Sequence, residues 1–179
     1  MKSVKQKLFY IPVIFVTIII SGCNYSFTGS SVPPHLSTIA IPVVIDRSGS
    51  GETDLSEKFT NTLIQKFADD NSLQIADKVN ADAIIECTVL PLQDSPTVVS
   101  NVESVENVAI RKITLTVKVL YKDNVERKTV FDKNFSNFGE YDTNAADFGG
   151  DLIAARSAAI NDAVDKLTED ILLGVVSNW

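Results

Sequence analysis

The ten residues ITLTVKVLYK, Ile113 to Lys122, set the strongest constraint on how this chain can fold. Ile113, Leu115, Val117, Val119 and Tyr121 fall on one side of an extended backbone, and Lys112, Thr114, Thr116, Lys118 and Lys122 fall on the other. Side chains alternate between the faces of a strand, so the pattern demands a sheet with one dry side and one wetter side. Something amphipathic must cover the dry side, and the sequence offers two helices. In TDLSEKFTNTLIQKFADDN, Leu55, Phe59, Leu63 and Phe67 recur every four residues, Thr53 or Asp54 is placed to cap the start, and Asn71 marks the stop. The second helix runs from about Asp151 to Val176, with Leu152, Ala155, Ala159, Ile160, Ala163, Val164, Leu167 and Ile171 as its apolar stripe.

Further strands surround these elements. STIAIPVVID alternates Ile39, Ile41, Val43 and Ile45 on one face, and Pro42, which cannot donate to a ladder, marks an edge or a bulge. A short strand at LQIAD follows the first helix. Two long extended stretches, Ala83 to about Val99 and about Val108 to Lys122, are joined by the polar SNVESVEN, and KTVFDKNFSNFGEY is the last strand. No internal repeat is present. The order predicts an α+β fold, a two-layer sandwich with two amphipathic helices packed on one face of a small mixed β-sheet. If the first two strands are parallel neighbours, their crossover is expected to be right-handed. Leu63, Phe67, Val117, Ile160 and Leu167 are the expected centre of the core.

The first 22 residues do not read as part of that domain. Lys2, Lys5 and Lys7 precede a greasy run from Leu8 to Ile20. It is shorter than the roughly 18 to 20 residues of a spanning helix, and it suits an export signal. Ile20-Ser21-Gly22-Cys23 resembles the lipobox of bacterial lipoproteins, in which the chain is cut before the cysteine and the new N-terminal Cys carries lipid. The organisation expected is therefore a signal peptide over 1–22, a lipidated Cys23 with a flexible Ser-, Gly- and Pro-rich tether over 23–37, and a single domain over 38–179. Cys87 lies in a strand-like run, where a thiol serves as a small core hydrophobe. With the signal removed, 13 basic residues face 23 acidic ones, a balance of −10. That excludes general nucleic-acid binding, and none of the recognised nucleic-acid motifs occurs.

Catalytic chemistry is not visible. His35 is the single histidine, placed in the tether with no Cys, Asp or Glu at metal-ligand spacing, and reads as a solvated loop residue. Asp69 and Asp70 are adjacent on a helix, point in different directions and form no catalytic pair. FGGDL places glycines before a helix whose amides could bind an anion, but Asp151 would itself occupy them and no phosphate-loop lysine follows. No cofactor, metal or enzymatic activity is expected.

The segments GCNYSFTGSSVPPHLSTIAIPVVIDRSG, LIQKFADDNSLQIAD, NADAIIECTV, FSNFGEYD and KLTEDILLGVVSNW, taken in order and spacing, resemble the lipopolysaccharide-assembly lipoprotein family LptE. The resemblance implies an outer-membrane lipoprotein, lipid-anchored through Cys23, that plugs and helps assemble a large β-barrel translocon for lipopolysaccharide. It implies the same two-layer fold. Asn24 after the cysteine, rather than the Asp of the inner-membrane sorting rule, agrees with the outer membrane. The alternative is a periplasm-facing envelope lipoprotein acting as regulator or secretion-scaffold subunit, since the opening β-α unit is shared by several such proteins.

Lipopolysaccharide is anionic, and one segment opposes the acidity of the chain. Between Arg111 and Lys133 lie seven basic and three acidic residues, a local balance of +4. Phe131 and Phe135 are expected to join Ile113 and Val117 on the core face, which needs an odd number of loop residues in the turn, with a bulge. Lys112, Lys118, Lys122 and Lys128 would then share the wetter face as a candidate lipopolysaccharide-binding set. Lys133 would sit near the core side and reach out at an edge.

Overall fold

A computed structural model describes residues 32–97 and 110–177. The elements are β1 Thr38–Ala40, β2 Ile45–Asp46, α1 Leu55–Asp70, β3 Gln74–Ile75, β4 Ala83–Val89, β5 Gln93–Pro96, β6 Ile110–Asp123, β7 Lys128–Asp142 and α2 Leu152–Val176, with a short 3-10 turn at Ala146–Phe148. Cys23, the export signal, the greater part of the tether and Trp179 lie outside the described residues.

Both helices follow from their sequences. Leu55, Phe59, Leu63 and Phe67 are all buried, and Asn71 closes α1 in the left-handed conformation with its amide on the Phe67 carbonyl at 3.1 Å. Asp54 stands at the N-cap, but its side chain makes no capping bond. Asp151 does cap α2, its carboxylate accepting from the amides of Ile153 and Ala154 at 3.0 Å each, so this helix start is occupied by its own chain. The α2 stripe is buried from Ala155 to Val175, while Leu152 at its start is exposed.

The sheet is mixed and open. β1 runs parallel to β3 and β4, β2 parallel to β4, and β4, β5 and β7 antiparallel to β6. β7 pairs with β6 along its whole length, so β4 and β5 must share the other edge of β6. The order across the sheet is then β3, β1 with β2, β4 with β5, β6 and β7. Ile113, Leu115, Val117, Val119 and Tyr121 are fully buried beneath the helices, together with Leu63, Phe67, Ile160 and Leu167. The two-layer α+β fold and its core are as the sequence implies.

Two glycines bring α2 down onto β7. A Cβ on Gly139 would lie 1.9 Å from the Ala159 carbonyl oxygen, and one on Gly174 would lie 2.6 Å from the Phe135 ring. Only the bare backbone lets helix and strand approach this closely. Lys133 passes through the same contact: its Nζ lies 4.5 Å and 4.9 Å from the ring centres of Phe131 and Phe135, a cation–π arrangement that keeps a charge on the core side of an edge strand. On the same strand, both main-chain polar groups of Phe138 are taken by side chains, the amide by Asn137 Oδ1 at 2.8 Å and the carbonyl by Lys166 Nζ at 3.2 Å.

Three departures from the sequence reading stand out. The first strand is interrupted at Pro42, and the interruption shifts the alternation by one: Ile39 and Val44 are buried, whereas Val43 and Ile45 face outward at 71% and 53% exposure. The turn between β6 and β7 is even, Asn124 to Arg127, and the odd residue comes from a bulge, since Lys122 pairs with Thr129 while Tyr121 pairs with Phe131. That bulge is what returns Phe131 and Phe135 to the core side. Finally, the segment read as tether is packed at its end, for Leu36 is buried in the core and Asp82 accepts hydrogen bonds from the amides of Ser37 and Thr38 at 3.0 Å each.

Candidate functional site: the uncovered face of the sheet

Opposite the helices, the sheet presents a face on which no helix lies among the described residues; one end is covered, where Ile84 is buried with Ala40 and Ala81 in a second small cluster against Ala76. On the open part β6 contributes Lys112, Thr114, Thr116, Lys118, Leu120 and Lys122, β4 contributes Glu86 and Thr88, and β7 contributes Asp132, Asn134, Ser136 and Phe138. Alternation places them there, since their neighbours in sequence fill the core.

The structure brings three of the four candidate lysines to this face. Lys122 Nζ lies 2.7 Å from Glu86 Oε2, and Lys78 reaches the other oxygen of the same carboxylate at 3.4 Å. The Lys122 hydrogen bond holds the Glu86 carboxyl below its ordinary range despite partial burial, with Lys78 adding to the effect. Lys118 pairs with Asp132 at 3.2 Å, and both side chains are about half exposed. Lys112 lies 5.0 Å over the ring centre of Phe138, which Lys166 approaches from α2 at 5.4 Å.

Lys128 does not belong with them. Its register partner is Asp123, on the helix side of the sheet, because the bulge lies beyond this residue rather than before it. Lys128 Nζ instead sits 2.5 Å from Glu126 Oε2, and that contact raises its pKa.

Beside it is a grouping that spacing along the chain could not disclose. His35 Nε2 lies 2.7 Å from Asp123 Oδ2 and 3.9 Å from Glu126 Oε1, and the three donor atoms fall within 4.8 Å of one another. The solvated loop histidine expected from sequence is thus an anchored one, about 30% exposed against a carboxylate with no exposure. Burial pushes the Asp123 carboxyl up, but hydrogen bonds from the Glu126 amide and the His35 ring outweigh it and hold the group below the ordinary range. With the ammonium of Lys128 in contact with Glu126, the cluster holds its own cation and reads as a clamp on the root of the N-terminal segment.

Elsewhere the inventory is structural. Cys87 is a free, buried thiol whose pKa is pushed up to about 12 by burial, so it is no nucleophile. Asp94 gathers Arg111 at 2.8 Å, the Tyr141 hydroxyl at 3.1 Å and Arg156 at 3.6 Å, tying β5, β6, β7 and α2 at one end of the sandwich. No described helix is long and apolar enough to cross a membrane.

Against this geometry the comparison with known families is decisive: the lipopolysaccharide-assembly model, LptE, matches residues 36–173. The chain belongs to the LptE family. No curated protein matches it. Among solved structures, the LptE-family chain is similar to the hypothetical protein CT253 from Chlamydia trachomatis, with 11% identity over 79% of this chain and 98% of that one at a TM-score of 0.54. It is similar to protein XCC0632 from Xanthomonas campestris, with 12% identity over 81% and 87% at 0.51. A minor lipoprotein from Acinetobacter baumannii shares 14% identity over 81% and 95%, also at 0.51. At these identities the likeness is one of fold. The family match begins at Leu36, which is buried in the core.

Proposed function

We propose that this LptE-family chain is an outer-membrane lipoprotein, held by acyl chains on Cys23, that assembles with and plugs a β-barrel translocon and presents its uncovered sheet face to lipopolysaccharide. The family match over residues 36–173 carries the reading. The lysine face supports it, because Lys112, Lys118 and Lys122 stand on one side of a sheet that no helix covers, and mobile ammonium groups suit phosphate. Their partners Glu86 and Asp132 are solvent-accessible, so an arriving phosphate competes for lysines that surface ion pairs hold only weakly. The role requires binding and assembly, not catalysis.

Detergent extraction followed by affinity purification tests it. A large β-barrel should co-purify in equal amount with the lipoprotein. Recovery of a cell-wall synthase or a secretion ring in its place would favour the rival role as an envelope regulator or scaffold subunit.

A further inference from the structure

The shift at Pro42 leaves a feature on the lysine face that ion pairing does not explain. Val43 and Ile45 are turned out of the core at 71% and 53% exposure, Ile45 on β2 beside β4 and Val43 just before it. Ile45, Thr88 and Lys118 stand in one row across β2, β4 and β6, and Glu86 and Leu120 form the next row. With Pro42 and Lys78 these residues line a groove of about 510 Å³, a volume in the range of small-molecule sites. Pro42, Val43, Ile45 and Leu120 give it an aliphatic lining, and Lys78 and Lys118 line it together with Glu86 and Thr88. Neighbouring strands lie about 4.8 Å apart, so the backbones at Ile45 and Lys118 are about 10 Å from each other across the sheet, while Leu120 is on the same strand as Lys118.

We propose that this groove takes an acyl chain of lipopolysaccharide, with Lys118 and Lys78 meeting the phosphate at the head of the same lipid. The inference rests on the reading of the lysine face as lipopolysaccharide-facing and adds an apolar subsite to it. Charge and shape select the occupant: an aliphatic trough flanked by ammonium groups complements a lipid whose anionic group adjoins its chains. A neutral apolar peptide would leave both lysines to their exposed carboxylate partners, Glu86 and Asp132, and gain nothing from them. Burial of Val43 and Ile45 under an acyl chain supplies the apolar gain that the exposed groove lacks in the free protein. The lysines supply orientation.

The test uses the full lipidated chain in detergent with three ligands: intact lipopolysaccharide, the same molecule stripped of its acyl chains, and phosphatidylglycerol. Val43→Ser combined with Ile45→Ser should weaken binding of intact lipopolysaccharide about tenfold or more and leave binding of the stripped molecule unchanged. Both positions are more than half exposed, so the fold tolerates the change, and an unchanged melting curve confirms it. A bimane label on Val43→Cys should shift to the blue with the intact lipid and not with the stripped one; Cys87 is buried and stays unlabelled. Equal affinity of the parent and the double variant for intact lipid, or an unmoved bimane spectrum, overturns the groove and leaves the lysine reading standing. If the parent binds neither form, the lysine reading falls and the groove with it. Displacement of lipopolysaccharide by an equal concentration of phosphatidylglycerol overturns the assignment to that lipid.

Discussion

His35 and Asp123 are 88 positions apart in the chain and 2.7 Å apart in space. The contact fastens the segment that leads back to Cys23 onto the end of β6, and Asp82 fastens Ser37 and Thr38, just beyond Leu36, onto the start of β4. His35→Ala should lower stability by about 1–2 kcal/mol, the worth of one hydrogen bond to a charged group, and lower the melting temperature by a few degrees. Thermal unfolding checks this, and an unchanged melt would show the clamp to be idle.

Acid should release the same clamp. Asp123 and Asp82 both have pKa values held below the ordinary carboxylate range, Asp82 chiefly by the Ser37 amide and the Thr38 hydroxyl. A carboxylate held low in the folded state stabilises the fold at pH values above the ordinary range, and that contribution is lost as pH falls through this range toward the folded value. Melting temperature should therefore drop below about pH 4, and Asp82→Asn should make the drop shallower. A pH series of melts on both proteins measures the difference.

Cys23→Ser should abolish lipid attachment, leaving the precursor uncut or misplaced, because in the proposed anchor the lipid is carried on this cysteine. Mass spectrometry of the mature N-terminus and membrane fractionation read the outcome. An unmodified Cys23 in the parent, or fractionation with the inner membrane, contradicts the anchor.

Replacing Lys112, Lys118 and Lys122 together by glutamate should weaken lipopolysaccharide binding most at low salt, where charge contributes most. Lys128→Glu is the informative companion, since that residue stands on the other side of the sheet and its loss should leave binding as in the parent. Equal effects from the two variants would mean that total charge, not this face, governs binding.

Val117→Ala and Leu167→Ala remove side chains with no solvent exposure between helices and sheet, and each should cost about 2–4 kcal/mol. Gly139→Ala should also destabilise, by about 1–3 kcal/mol, because its added carbon meets a backbone oxygen that can yield only if α2 moves. Denaturant titration distinguishes these from a surface control.

Layers, helix faces and core were legible because each is written in local periodicity: Leu63 and Phe67 repeat with the helix, and Val117 alternates with Lys118. Parity across an irregularity was not. One proline moved Val43 and Ile45 from the expected dry face to the open one, and one bulged residue decided that Phe131 lies inside while Lys128 parts from Lys122. A strand pattern fixes faces only up to its next slip, and the position of a slip depends on partners that sequence spacing does not name. His35 was misplaced for a related reason, its partner being supplied by topology.

The fifteen-residue edge strand β7 has a consequence for how this chain can associate. A long free edge invites another strand, and inside the β-barrel proposed as its partner the domain would be surrounded by candidates. At Phe138 the rung that such a strand would need is already occupied by Asn137 and Lys166. The sheet is therefore terminated rather than left open. Edge-to-edge pairing of two copies through β7 is opposed at Phe138, and a barrel of the kind proposed above could enclose the domain without splicing it into its own wall.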